Sequence, residues 1–132
     1  MKKVQNFMMM FILSSLTVSI YSQKLASWKE MEDFHAVMSI SFHPAEEDNL
    51  KPVMENAEDL LNKAISWKQS KAPQGYNEAT TSSVLMRLVK QCEILKVAVE
   101  NKKSDAELKL LITEAHDIFH EIMERCRKKE GH

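Results

Sequence analysis

Glycine and proline are scarce in this chain: two glycines and three prolines among 132 residues. An all-β domain needs turn chemistry every ~8–12 residues, so helices must carry the fold. Two cysteines are too few for a disulfide-stapled scaffold, and no C-x-x-C-H run offers covalent c-type haem attachment. The formal charge is only −1, with no basic patch, which argues against nucleic acid as a partner. Long apolar runs are missing as well. The most apolar stretch, Phe7 to Leu13, is far short of the roughly 20 residues that span a bilayer.

That stretch has another meaning. Lys2 and Lys3 precede it, and Ser14 to Ser22 turns small and polar. This is the layout of a secretory signal peptide, with a cut expected around Tyr21-Ser22-Gln23. Residues 1–22 are therefore read as an export signal and 23–132 as the mature domain, periplasmic or secreted, without stable membrane insertion. The mature part has 110 residues, with 16 basic and 19 acidic side chains, and is long enough to bury a core unaided.

Four amphipathic segments follow. Leu25 to Phe42 carries Trp28, Met31, Phe34, His35, Met38 and Phe42 at helical spacing, and Pro44 is expected to end it. Leu50 to about Gln69 has a stripe of Leu50, Val53, Met54, Ala57, Leu60, Leu61, Ala64 and Ile65, with Asn49 as N-cap and Pro52 in the first turn. Lys71 to Gly75 breaks the chain. A third segment starts between Asn77 and Ser82 and runs to about Glu100, on Val84, Leu85, Leu88, Cys92, Leu95 and Val99. The fourth opens on Ser104 and Glu107 as a capping box and continues through Leu108, Leu111, Ile112, Ala115, Phe119, Ile122 and Cys126. Short links predict an all-α, up-down-up-down antiparallel four-helix bundle. Cys92 and Cys126 could pair in an oxidising compartment, but both fall on apolar faces, and the balance tips to two buried thiols.

The histidines carry the chemistry. His35 falls inside the first stripe, and a core histidine needs partners for its ring nitrogens. His116 and His120 are four apart, which stacks them on one helical face as a bidentate clamp for a transition metal. His35 is seven residues after Trp28 and His120 six before Cys126, so at about 1.5 Å per residue they lie at similar depths in an antiparallel bundle. Three metal ligands are expected: His35, His116 and His120, with Asp117 and Glu121 as ring-orienting partners. The ion would be zinc or copper; copper would bring Met31 and Met38 into consideration. His43 ends the first helix, about 12 Å from His35, and with Glu46 and Glu47 offers a surface metal contact. His132 lies in the tail. The expected role is not enzymatic, because no nucleophile constellation is visible.

The mature length, the four short-linked helices and the histidine near the end of the last one resemble the soluble periplasmic four-helix cytochromes of the b and c-prime kinds. The resemblance implies non-covalent haem b held between a helix-one ligand at His35 and a helix-four ligand at His120. The c-prime attachment motif is absent, and the extra His116 suits a metal ion better. The expectation is therefore a metal or haem protein serving electron transfer, metal buffering or sensing. The alternative is a structural, interaction or stress-type bundle without cofactor.

Overall fold

A computed structural model of the chain describes residues 27–127. The export signal expected at residues 1–22, its cut site and the tail with His132 lie outside them. Four helices account for most of what is described: α1 Lys29–Glu46, α2 Lys51–Gln69, α3 Glu78–Glu100 and α4 Asp105–Arg125. Successive helices pack side by side, α1 on α2, α2 on α3 and α3 on α4, and α1 meets α4 in a less extensive closing contact. This is the expected four-helix bundle.

Each helix starts and stops for a local reason. Asn77 caps α3 by accepting from the Thr80 amide at 3.0 Å, and Ser104 caps α4 by accepting from the Glu107 amide at 3.2 Å. α2 departs from expectation: Leu50, not Asn49, occupies its cap position, and the Asn49 side chain accepts from the Lys51 amide. α1 begins later than expected, at Lys29, because Trp28 is extended and buried. It also ends later. Pro44 lies inside its last turn, because the pre-proline restriction disfavours the helical state of His43 without forbidding it. Burial of Ala45 rewards one more turn. Asp48 then takes a left-handed conformation (φ 62°), and two amides reach back, Asp48 to the Ala45 carbonyl and Asn49 to that of Pro44. The end of α3 repeats the device with Lys102 at φ 52°.

The core has an aromatic end and an aliphatic body. Trp28, Phe34, Trp67 and Phe119 meet ring to ring with centroids 5.5–5.9 Å apart. Tyr76 closes on Trp28 at 5.1 Å. The Trp28 indole donates to the Ser70 hydroxyl at 2.8 Å. That of Trp67 is buried without a hydrogen-bond partner among the described residues. The rings of Trp28 and Phe119 stand steeply inclined to the Trp67 ring. Leu60, Leu88, Leu95, Leu108, Ile112 and Ile122 fill the body of the core. The Asn77 amide donates to the Cys126 carbonyl at 2.8 Å and binds the α2–α3 loop to the end of α4.

Cys92 and Cys126 are both free and buried. The Cys126 thiol lies beside the Thr81 hydroxyl, at the start of α3. Cys92 is eleven residues further along that helix, about 16 Å by the helical rise, whereas a disulfide needs Cα atoms within about 7 Å. Burial pushes the Cys92 thiol up to about 12, so it holds its proton and stays unreactive.

Lysine pays a steric penalty in the left-handed region that glycine escapes. Lys102→Gly is expected to raise stability by about 0.5–1 kcal/mol, seen as a higher urea midpoint at unchanged slope. An unchanged or lower midpoint would show that the α3 terminus is unstrained. Phe119→Ala removes the ring shared by most of the aromatic cluster and is expected to cost about 3–5 kcal/mol in the same assay.

Candidate metal centre

The α1–α4 seam gathers the histidines. α1 buries Phe34, Val37, Met38, Ser41, Phe42 and Ala45. His35 sits one step off that face and is exposed, not in the core stripe as its spacing suggested. A 100° step per residue places it on the edge of α1 nearest α4. There its ring stacks on Phe119, with centroids 5.0 Å apart and planes 14° apart. One side of the imidazole is covered while the residue as a whole is exposed, which removes the need for a buried partner.

His116 and His120 behave as their spacing predicts. Their Nε2 atoms are 3.2 Å apart. His116 is half-buried, stacked on Phe42 of α1 at 3.8 Å and 12°. His120 is exposed and packs edge-on against Phe119 at 5.5 Å. Beside the pair is an open groove of about 250 Å³, lined also by Asp117, Glu121, Glu124 and Arg125. Two larger hollows, between α2 and α3 and between α3 and α4, contain no histidine.

The 3.2 Å separation has two chemical uses. Without an ion, one Nε2–H donates to the other ring's lone pair. With an ion, both lone pairs point at it: two nitrogens each about 2.0–2.1 Å from a tetrahedral centre stand about 3.3 Å apart. The clamp therefore has the spacing that a tetrahedral ion requires. Metal binding also needs neutral imidazole. Burial first, then the neighbouring His120, holds His116 below the usual histidine range, against the opposing pull of Asp117 and Glu46.

The surrounding groups differ from expectation. Among the described residues, neither Asp117 nor Glu121 hydrogen-bonds a histidine ring. Arg87 of α3 grips both carboxylate oxygens of Glu121 through Nη1, at 3.0 and 2.9 Å, and Arg125 approaches at 3.8 Å. His43 and Glu46 do sit together, Nδ1 to Oε2 at 3.3 Å, in the last turn of α1. Both act electrostatically on His116. Among the described residues, no three histidine, cysteine or carboxylate side chains are gathered tightly enough to hold a metal as they stand.

No family model matches the chain, and neither a curated protein nor a solved structure matches it significantly. Nothing in these comparisons identifies a cytochrome family.

The lowered His116 value makes the stability pH-dependent. The unfolded chain takes up this proton near pH 6.5, before the folded one does, so the contribution is complete above that pH and is lost as pH falls below it. The urea midpoint is expected to drop between pH 7.5 and 5, and to drop less in His116→Gln. Equal slopes in the two proteins would remove His116 as the source.

Proposed function

We propose that the chain is a metal-binding four-helix bundle that holds one divalent transition ion at the His116–His120 clamp, for buffering or sensing. The observation that carries this is the 3.2 Å Nε2–Nε2 spacing between two imidazoles on one helical face. Imidazole nitrogen favours zinc, copper, nickel or cobalt over calcium or magnesium, which want oxygen. Depression of the His116 value supports binding near neutral pH. The export signal read in residues 1–22 would place the clamp outside the cytoplasm. A small ion fits these residues better than haem. Axial ligation by His35 and His120 would set a porphyrin between them, and the buried Phe119 ring packs against both.

A calorimetric titration of the metal-free mature chain with zinc is expected to give one saturable site. His116→Ala and His120→Ala should each weaken it about tenfold or more, with the helical content unchanged. A wild-type protein that takes up neither zinc nor copper would overturn the proposal.

A bundle that binds a partner without cofactor is the second reading. Its support is exposed Ile94 and Val97, 42% and 50% accessible, beside Leu61 in the hollow between α2 and α3.

A further inference from the structure

We infer that His43, held by Glu46, is the third protein ligand of the same ion, so that the metal ties α1 to α4. This rests on the His116–His120 clamp and extends it across the seam. Three observations converge on His43. First, its Nδ1 faces the Glu46 carboxylate at 3.3 Å. A metal-ligating histidine characteristically gives its second ring N–H to a carboxylate, which fixes the tautomer and leaves Nε2 as the donor atom. His116 and His120 offer the same atom.

Second, His43 follows directly on Phe42, whose ring is stacked on His116 at 3.8 Å, so the α1 backbone is anchored beside the clamp. Third, the His43 side chain is 68% accessible and that of Glu46 52%. Rotation toward α4 therefore displaces no packed neighbour. The clamp would supply two ligands, and His43, oriented by its carboxylate, would supply the third by a side-chain rotation.

His35 offers less. Its ring lies flat on Phe119, and swinging it onto the ion would give up that stacking. Three imidazoles and a water would complete a tetrahedral site. The ion would then close a helix pair that packs less extensively than the three consecutive pairs.

The test is zinc calorimetry and zinc-dependent melting on the mature chain carrying His43→Ala, Glu46→Gln, His35→Ala or His116→Ala. The expected result is that His43→Ala weakens zinc about tenfold or more and shrinks the zinc-induced rise in Tm, Glu46→Gln weakens it less, and His35→Ala leaves it unchanged. Loss of binding in His116→Ala with full affinity in His43→Ala would leave the clamp standing and overturn the third ligand. Weakening by His35→Ala and not by His43→Ala would overturn it in favour of His35. Failure of the wild type to bind would overturn the clamp as well. Each variant is at an exposed or half-exposed position, and circular dichroism verifies its fold.

Discussion

The side chain on which the molecule turns is Phe119. Its inner surroundings are Phe34 and Trp67, so it belongs to the core that joins α1, α2 and α4. Its outer neighbours are His35 and His120. A buried aromatic of this size supplies much of the local packing energy, and its flat faces dictate what can lie beside it. The histidines are thus placed by a hydrophobic residue. The ring that completes the core is also the floor on which the polar seam is built.

The seam is polar because of how the bundle closes. Three helix pairs are consecutive in sequence and joined by short links. The fourth pair, α1 with α4, joins the two ends of the bundle. Its contacts run from His35 on Phe119, through Phe42 on His116, to the Lys109–Asp48 ion pair of 2.7 Å. This antiparallel register puts His43 on the His116 side of the clamp and His35 on the His120 side. The tight terminations at Asp48 and Lys102 hold that register by ending α1 and α3 abruptly.

The fold was legible in the sequence because it follows from repeated local rules. The stripes of Leu60, Leu88, Ile112 and Ile122, the Ser104 cap and the lack of turn residues all point one way. The site was legible in part. The i, i+4 spacing of His116 and His120 becomes a real proximity, because a helix converts sequence distance directly into geometry. His35 was misplaced because Met31, His35, Met38 and Phe42 also form a plausible row. Only packing shows that Phe34, Val37 and Ser41 turn inward together with Met38 and Phe42, which leaves His35 on the edge. The grip of Arg87 on Glu121 crosses between helices, and no spacing within one helix announces it. The one sign of His43's setting was Glu46, three residues on.

The two thiols give the bundle an asymmetry between its folded and unfolded chains. In the native state both thiols are buried, Cys92 within α3 and Cys126 at the end of α4 beside the start of α3, so an oxidant finds neither reactive sulfur nor a pair to join. The unfolded chain has no such protection. A cross-link between them, once made, would fix a distance that the native bundle does not contain. Oxidation would then act as a ratchet on folding: harmless to molecules already assembled, and a one-way diversion for those still unfolded, unless a reductant or exchange catalyst reopens the bond.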